Sequence, residues 1–341
     1  MQICKRRRED PEQMLGQRRR AAMALFALTC SATPLALPSA SAQDYPTRAV
    51  KLIVPFAAGG PADVYARVVG QRLQEKFGQP FVVEDRPGGG SLIGTDAVAK
   101  SVADGYTLLV MSNTHTVNET LFANKPYQLL RDFVPVAPLN QSDLVLAVHP
   151  SLPVQSLRDL IELARAQPHA LNYASSGPGT PYHMAGELFK SMAGVDIVHI
   201  PYKGSSSART DLIGGQVQMM FDAITTMAPQ AQAGKVRVLA SSGRERSDVM
   251  PDVPTLAEAG VPGYEATIWL GVMAPAGTAT AIVNKLNAAI RSIVTSAEIK
   301  STWIEQGARP ISMSSDDFGR FVRDDIGKWA SVIKRADIKP D

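Results

Sequence analysis

Residues 171–189 read LNYASSGPGTPYHMAGELF. The segment begins with residues that suit a buried strand, breaks into a loop of Ser, Gly, Pro and Thr, and continues with Met184 and Leu188 at helical spacing. Thr180 suits the N-cap of that helix, and Pro181 suits its first turn. The same order of strand, small-residue loop and helix recurs at KLIVPFAAGGPAD (51–63), VVEDRPGGGSLIG (82–94), LLVMSNTHTVN (108–118) and VHIPYKGSSSA (198–208).

This alternation predicts an α/β fold with mostly parallel sheets, in which the loops at the carboxyl ends of the strands meet in one crevice. Two stretches, 132–150 and 263–278, are extended without a long helix and suit crossings between lobes. We therefore expect two lobes, each a mostly parallel sheet flanked by helices, joined by two crossover strands. Lobe I is 43–142 plus 267–341, and lobe II is 143–266. A single open sheet is the alternative, although ~300 residues would make it unusually wide.

Residues 1–42 have the pattern of a secretory signal peptide. Arginines at 18–20 precede an apolar stretch at 21–37, and the segment ends in a small-residue A-x-A pattern. We expect cleavage before Gln43 and a periplasmic location. A transmembrane anchor and a lipoprotein attached at Cys30 are the alternatives. The arginines leave both the general secretory route and the twin-arginine route open.

Removal of this leader changes the charge of the chain. The whole sequence holds 35 Lys and Arg and 32 Asp and Glu, of which seven basic and three acidic residues lie in the leader, leaving 28 and 29. A mature chain with about one net negative charge gives no reason to expect nucleic acid or an anionic membrane surface as a partner. Both cysteines, Cys4 and Cys30, also lie in the leader, so the mature chain is held by its cores alone.

The loops after the predicted strands are rich in backbone N–H donors and hydroxyls but poor in acids, bases and thiols. Because a helix N-terminus carries free N–H groups and a partial positive charge, such loops suit a bound carboxylate. We expect neutral donors and ordered waters to hold it, with no cofactor and no metal. A tight turn with an N-cap is the alternative interpretation of these residues. The predicted ligand contacts are Phe56, Ala58, Gly59, Gly60, Gly89, Ser112, Asn113, Thr114, Ser175, Ser176, Gly179, Thr180, Tyr202, Lys203, Gly204 and Asp222.

Two charged residues in this set have more than one possible role. Lys203 follows a predicted strand and could pair with an anionic ligand, but solvated surface lysines are far commoner. Asp222 ends an apolar run and could accept a ligand amino group, orient a neighbouring loop or cap a helix. The sequence leaves open whether either side chain touches the ligand.

Five longer motifs carry a family resemblance: PFAAGGPAD (55–63), DRPGGGSLIG (85–94), YASSGPGTPYHMAGELF (173–189), IPYKGSSSARTDLIGGQVQMMFD (200–222) and DVPTLAEAGVPGYEATIWLGVMAPAGT (252–278). In this order they resemble the Bug family, the extracytoplasmic solute receptors of tripartite tricarboxylate transporters. The resemblance runs from about Tyr45 to the C-terminus, and the chain departs from the family pattern at Asp85, where Asn is common.

The resemblance implies the fold of a type II periplasmic binding protein whose two lobes close on a ligand. It also implies a small organic carboxylate as that ligand, whether a dicarboxylate, an acidic amino acid or an aromatic acid. The implied partners are the membrane permease subunits of a tripartite tricarboxylate transporter. We expect the receptor to be a monomer.

An enzyme is an alternative class. Ser176, His183 and Asp222 supply the side-chain types of a hydrolytic triad, but no G-x-S-x-G elbow surrounds the serine. The five histidines show no metal-ligand spacing, and GGGSLIG is not the dinucleotide fingerprint. We therefore expect a receptor and not an enzyme such as a secreted hydrolase. A chemosensory or regulatory carboxylate receptor would share the same cleft, and only its partner protein would distinguish it from a transport receptor.

Overall fold

A computed structural model describes residues 45–340. The predicted leader and its cleavage before Gln43 lie outside these residues. Within them, no helix combines the length and the apolar character that a membrane span requires. The strands are β1 (Val50–Val54), β2 (Phe81–Asp85), β3 (Thr107–Ser112), β4 (Phe133–Val148), β5 (Asn172–Ser175), β6 (Val198–Pro201), β7 (Met219–Ala223), β8 (Arg237–Ser241), β9 (Thr267–Pro275) and β10 (Ala308–Pro310). The helices are α1 (Pro61–Phe77), α2 (Leu92–Ala99), α3 (Asn113–Leu121), α4 (Leu129–Asp132), α5 (Leu157–Ala166), α6 (Pro181–Ala193), α7 (Ser205–Ile213), α8 (Ile224–Gln232), α9 (Thr280–Val294), α10 (Ala297–Glu305) and α11 (Ser315–Arg335).

The helices begin and end where the sequence supplies suitable residues. Helix α1 starts at Pro61 and ends at Gly78, which has a left-handed φ of 69° and donates its N–H to the carbonyl of Gln74. Helix α6 follows Thr180, whose hydroxyl oxygen accepts the N–H of His183. The predicted N-cap at Thr180 is confirmed.

The strands lie in the order β2-β1-β3-β9-β4-β7-β5-β6, with β8 and β10 also paired to β4. Strand β1 pairs in parallel with β2 and β3, and β5 pairs in parallel with β6 and β7. The parallel pairing that the sequence predicts is therefore found in two groups of three strands. Strands β4 and β9 come from the two stretches predicted as crossings. Strand β9 pairs antiparallel with β3 and β4, and β4 pairs antiparallel with β7.

Strand β4, with β9, connects the two groups. Its residues from Phe133 to Asp143 pair with β9, and its residues from Leu144 to Val148 pair with β7. One path of hydrogen-bonded strands therefore runs through eight of the ten strands of the described chain, with β4 near its middle and β8 and β10 paired to β4 off the path. The division into lobes I and II stays a prediction, with one boundary next to the residue where β4 changes partners.

Two large apolar clusters pack on the two parts of β4. One contains Leu52 of β1, Val110 of β3 and Leu286 of α9, and the other contains Leu146 of β4 and Phe189 of α6. Burial of one such side chain stabilises a fold by about 1.5–3 kcal/mol. Because residues 45–340 contain no cysteine, these clusters supply the core of the described chain without a disulfide.

Helix α11 holds the start of α3 in place. Trp329 of α11 lies in an apolar cluster with Val117 of α3 and Met184 of α6. In addition, the hydroxyl of Thr116 donates to a carboxylate oxygen of Asp325 at 2.5 Å. The C-terminal helix therefore fixes α3 directly after the end of β3.

Candidate ligand site

Two neighbouring compartments lie where the loops after β1, β3, β5 and β6 meet, and Phe56 and Ser176 line both of them. The small compartment has a volume of about 20 Å³, which holds about one ordered water or one small polar group. The large compartment has a volume of about 360 Å³. The small compartment is lined by Phe56, Ala57, Gly60, Pro61, Ala62, Ser112, Thr114, Ser176, Pro181, Tyr182, Ser205, Ile268 and Leu270. The large compartment is lined by Pro55, Phe56, Gly88, Gly89, Gly90, Ser91, Leu92, Phe122, Ser176, Gly177, Pro178, Pro201, Tyr202 and Lys203.

Four helices begin at the small compartment. Pro61, Pro181 and Ser205 are the first residues of α1, α6 and α7, and Ser112 is the N-cap of α3. Each start leaves backbone N–H groups without a partner inside its helix and adds a partial positive charge. None of the residues that line this compartment is charged. The arrangement therefore suits an anion that is held by neutral donors.

Hydroxyl groups complete the lining of the small compartment. Ser112 donates its hydroxyl to Thr114 Oγ1 at 2.9 Å, and its oxygen accepts the N–H of Thr114 at 3.2 Å. Burial raises the pKa of Tyr182 well above its usual value, and the nearby Asp222 carboxylate raises it further. The phenol of Tyr182 therefore stays neutral and able to donate.

The loop after β1 contributes two of its four predicted contacts. Phe56 and Gly60 line the small compartment. Ala58 instead uses its carbonyl to accept the hydroxyl of Ser206 at 2.9 Å, and Gly59 adopts a left-handed φ of 77° beside that serine. Ala58 and Gly59 therefore shape the loop and join it to α7.

The residues predicted as a loop after β3 form a direct junction of β3 and α3, and their roles are divided. Ser112, the last residue of β3, and Thr114, in the first turn of α3, line the small compartment as predicted. The side-chain amide of Asn113 donates to the carbonyl of Thr267 at 2.9 Å, so it ties α3 to β9. Asn113 does not line either compartment.

A buried histidine, which the sequence did not identify, fixes this same junction of β3 and α3. His115 Nδ1 accepts the backbone N–H of Ser112 at 3.2 Å, and its Nε2 lies 2.9 Å from Thr95 Oγ1. Burial lowers the pKa of His115 to about 4, so the ring is neutral near pH 7. Its edge-to-face contact with Phe56, with ring centroids 6.1 Å apart, links the loops after β1 and β3.

The loop after β5 places Ser176 in both compartments. Its neighbour Ser175 makes a hydrogen bond of 2.6 Å between its hydroxyl and His199 Nε2. Thr180 donates its hydroxyl to the carbonyl of Gly177 at 2.7 Å while it caps α6. Of these three predicted contacts, only Ser176 lines a compartment, and the other two hold the loop in shape.

Two glycines allow this loop to approach neighbouring segments. A Cβ on Gly179, which has a φ of 74°, would lie 2.5 Å from Asn118 Oδ1. A Cβ on Gly90, which has a φ of 61°, would lie 2.7 Å from the carbonyl oxygen of Pro178. Gly179 therefore acts through close packing and does not line either compartment.

The remaining predicted loop residues lie around the large compartment. Gly89, Tyr202 and Lys203 line it, and the phenol of Tyr202 donates to Asp211 at 2.7 Å. Gly204 lines neither compartment, but a Cβ there would lie 2.5 Å from the Cβ of Ala57. Gly204 is therefore required for close packing of α7 against the loop after β1.

The predicted contact Asp222 does not line either compartment. Its buried carboxylate pairs with Arg209 Nε at 2.8 Å and accepts the N–H of Ala223 at 2.9 Å. Burial raises the pKa of Asp222, and the Arg209 guanidinium opposes that rise. Of the roles left open by the sequence, the contacts of Asp222 fit the orientation of α7 and not the capture of a ligand amino group.

Asp85, the residue that departs from the family pattern, also does not line the compartments. Its carboxylate pairs with Arg67 Nη2 at 3.0 Å. Burial and the neighbouring Asp63 raise the pKa of Asp85, while Arg67 lowers it. The acid is thereby paired outside the candidate site.

Several lining residues were missed by sequence reasoning. Ser205 follows a loop that was identified, and its place at the start of α7 was the available signal. Ile268 and Leu270 lie on β9, where alternate residues face the same side. Their contribution depends on β9 running beside β3, which is a long-range pairing. The other missed residues are Ala57, Pro61, Ala62, Pro181 and Tyr182 of the small compartment and Pro55, Gly88, Gly90, Ser91, Leu92, Phe122, Gly177, Pro178 and Pro201 of the large one.

A hydrolytic triad has no support in these contacts. Asp222 is engaged by Arg209, and His183 Nδ1 accepts the backbone N–H of Gly179 at 3.1 Å. Among residues 45–340, no group of acidic, histidine or cysteine side chains is placed to hold a metal ion.

A family model described as the tripartite tricarboxylate transporter family receptor matches residues 65–338. The chain belongs to this receptor family. Its members are solute-binding receptors, so the predictions of Bug family membership and of a receptor that is not an enzyme are confirmed.

Similar proteins agree with this assignment. Protein BugT of Bordetella pertussis is 39% identical over 319 residues, which cover 93% of this receptor and 98% of BugT. A solved structure described as R. palustris Rpa4515 with adipate has a TM-score of 0.85 at 40% identity and covers 87% of this receptor and 100% of that chain. The structure of periplasmic binding protein BugD has a TM-score of 0.83 at 30% identity, and the match covers 87% of this receptor and 100% of that chain. MatC (Rpa3494) from Rhodopseudomonas palustris, with bound malate, has a TM-score of 0.81 at 32% identity, and the match covers 85% of this receptor and 100% of that chain.

These structures confirm the predicted fold class. The receptor has the α/β fold of periplasmic binding proteins, with helices flanking the sheet.

Proposed function

We propose that this receptor captures a small organic acid and holds one carboxylate group in the small compartment. The single observation that carries the proposal is the meeting of four helix N-termini at a compartment with no charged lining. A carboxylate there would accept hydrogen bonds from neutral donors whose dipoles already point at it, so little reorganisation is needed on binding.

The expected strength of these contacts is sufficient for tight binding. A hydrogen bond to a charged group contributes ~1.5–3 kcal/mol, and a helix N-terminus contributes up to ~2 kcal/mol in a partly buried site. Three or four such contacts approach the ~8 kcal/mol that corresponds to a micromolar Kd. Ordered water would bridge donors that a ligand does not reach directly.

The similar structures support the chemical class of the ligand. One of them is described with adipate and another with malate, and both of these ligands are dicarboxylates. We extend the class, and not either identity, to this receptor.

We also propose that lobe I (43–142 plus 267–341) and lobe II (143–266) close on the ligand. Both contribute to the small compartment, since Phe56 and Thr114 come from the first lobe and Ser176 and Ser205 from the second. A ligand that contacts both lobes favours the closed state by its extra contacts there.

Export and delivery complete the proposal. The leader at 1–42 directs the chain to the periplasm and is removed before Gln43. The mature receptor is a monomer that passes its ligand to the permease subunits of a tripartite tricarboxylate transporter. Family membership supports this path, because the matching family is defined as transporter receptors.

A thermal-shift screen tests the central claim. A ligand that binds only the folded state adds ~2.7 kcal/mol of stability at a hundredfold excess over Kd, so adipate, malate, succinate and hexanoate should include at least one clear hit. Hexane-1,6-diol serves as the uncharged control for adipate and should give no shift. If no carboxylate stabilises the protein, or the diol does so equally well, the carboxylate proposal is wrong.

A further inference from the structure

The half-buried carboxylate of Asp325 on α11 does not line either compartment, but it contacts a helix that does. One of its oxygens accepts the hydroxyl of Thr116, near the start of α3, at 2.5 Å. The same helix start contributes its N-cap Ser112 and the next but one residue, Thr114, to the lining of the small compartment. Asp325 therefore supports the candidate site from outside it.

Strand β9 meets the same part of α11 through Trp269. Its indole ring packs edge-to-face on Phe318 and Phe321 of α11, with ring centroids 5.8 Å and 5.1 Å apart. The residues on either side of Trp269, Ile268 and Leu270, line the small compartment. Because successive side chains of a strand point to opposite faces, the contact of Trp269 with α11 sets the face that β9 presents to the compartment.

Two buried indole N–H groups lie beside the Asp325 carboxylate. The Nε1 atoms of Trp269 and Trp329 have no hydrogen-bond partner within residues 45–340, yet both indoles lower the pKa of Asp325, as donors close to a carboxylate do. A buried donor without a partner is costly, and a nearby negative charge reduces that cost. An ionised Asp325 therefore stabilises the arrangement in which both indoles face it.

The charge of this carboxylate depends on its surroundings. Burial raises the pKa of Asp325 above its usual value, and the Thr116 hydroxyl, Lys328 on the same helix and the indoles of Trp269 and Trp329 oppose that rise. The groups that face the carboxylate from α3, β9 and α11 are therefore neutral donors and one lysine. As the pH falls through the folded pKa, protonation removes the charge that attracts these donors.

We propose that Asp325 is a positioning residue for the ligand site, and that its ionised carboxylate holds the start of α3 and the middle of β9 in the geometry that lines the small compartment. This inference rests on the proposed function, because the ligand must occupy that compartment. Without the charge, the start of α3 is less ordered in the free protein, and ligand binding must order it. The apparent Kd then rises in inverse proportion to the fraction of molecules that are already ordered.

Calorimetry on variants at two adjacent positions tests this proposal. Asp325→Asn removes the charge with little change of shape, and Asp324→Asn removes the same charge from the exposed neighbour on α11. The probes are adipate, malate, succinate and hexanoate. For each acid that binds wild type, we expect Asp325→Asn to raise Kd about fivefold, which equals ~1 kcal/mol, because a hydrogen bond to a neutral acceptor is weaker than one to a carboxylate. Asp324→Asn should leave Kd unchanged.

Substitutions of Thr116 test the same contact from α3. Thr116→Val removes the hydroxyl and should raise Kd by a similar factor, whereas Thr116→Ser keeps the hydroxyl and should bind like wild type. The double variant of Asp325→Asn and Thr116→Val should bind little more weakly than either single variant, because both changes remove one interaction. Urea unfolding of each variant checks that it is folded.

A pH profile separates positioning by the charge from a general loss of stability. The ratio of the Kd of Asp325→Asn to that of wild type, in which the titration of the ligand cancels, should fall towards one as the pH drops through the folded pKa of Asp325. Trp269 and Trp329 are two of the three tryptophans of the chain. The tryptophan emission of ligand-free wild type should therefore show a step over the same pH range, and Asp325→Asn should lack that step.

The outcomes distinguish the role of Asp325 from the proposed function. Equal Kd values for Asp325→Asn and Asp324→Asn, additive losses in the double variant, or a Kd ratio that does not change with pH overturn the role of Asp325. A lower Kd for Asp325→Asn also overturns it, because the charge would then act only by repelling the bound anion. Failure of all four acids to bind wild type overturns the proposed function itself, and this inference with it.

Discussion

Gly60 offers a perturbation that should weaken binding and leave the fold intact. It lines the small compartment and has a φ of −85°, which any residue can adopt. A Cβ there would lie 3.1 Å from Ser205 Oγ and 3.6 Å from the carbonyl oxygen of Ala57. Gly60→Ala therefore places a methyl group beside a volume of only about 20 Å³.

The expected loss of affinity follows from the contacts that the methyl group displaces. A carboxylate that is pushed away from one donor loses ~1.5–3 kcal/mol, so Kd should rise roughly ten- to a hundredfold. The cost to folding is much smaller. Alanine is a poorer N-cap than glycine, but it also lowers the entropy of the unfolded chain, and each effect is about 1 kcal/mol or less.

The assay is calorimetry for Kd and urea unfolding for stability, each on Gly60→Ala and on Gly327→Ala. Gly327 lies in α11, and a Cβ there would meet no atom within 4 Å. Gly327→Ala should therefore raise the free energy of unfolding by ~0.5–1 kcal/mol and leave Kd unchanged. If Gly60→Ala binds adipate or another hit within about threefold of wild type while remaining folded, the carboxylate does not occupy the small compartment.

Three further outcomes can be measured. Ser205→Ala should raise Kd about tenfold or more, because the Ser205 hydroxyl lines the small compartment. Ser206→Ala is the control and should change Kd little, because the Ser206 hydroxyl donates to the backbone carbonyl of Ala58. Equal effects of the two substitutions would contradict this assignment. The pKa of His115 is about 4 in the folded protein and 6.5 in the unfolded chain. The contribution of His115 to the free energy of unfolding is therefore complete above pH 6.5. It falls as the pH drops towards 4, by up to ~1.4 kcal/mol per pH unit. Urea unfolding at several pH values should show a shallower loss in His115→Gln, and an unchanged slope would exclude this histidine as the cause. Intact mass of the periplasmic protein should match a chain that begins at Gln43, and a retained leader would contradict export by cleavage.

The sequence predicts local features of this receptor well. The strand, loop and helix at 171–189 are found, with Thr180 at the N-cap of α6. These features depend on neighbouring residues, since an N-cap needs only a hydroxyl and the free N–H groups three residues later. Five loop residues, among them Ser112 and Ser176, could likewise be placed at the small compartment because they follow strands.

The division of roles within each loop could not be predicted. Ser175 and Ser176 have the same chemistry, but only Ser176 lines the compartments, while Ser175 bonds to His199. Which of two adjacent residues faces a ligand depends on the direction of the backbone at the strand end, which is set by packing. Asp222 illustrates the same difficulty, because its partner Arg209 lies on another element and gives no local signal.

The pairing of β3 with β9 has a consequence for the order in which this receptor can assemble during synthesis. Val110 pairs with Val272, so the first group of strands gains its neighbour only after most of the chain has been made. Strands β5 to β8 and the last part of β4 are close in sequence and can associate earlier. Ile268 and Leu270 of β9 line the small compartment, so the compartment is incomplete until β9 has been synthesised and has paired. A chain in which β9 has not yet paired with β3 therefore lacks part of the candidate ligand site.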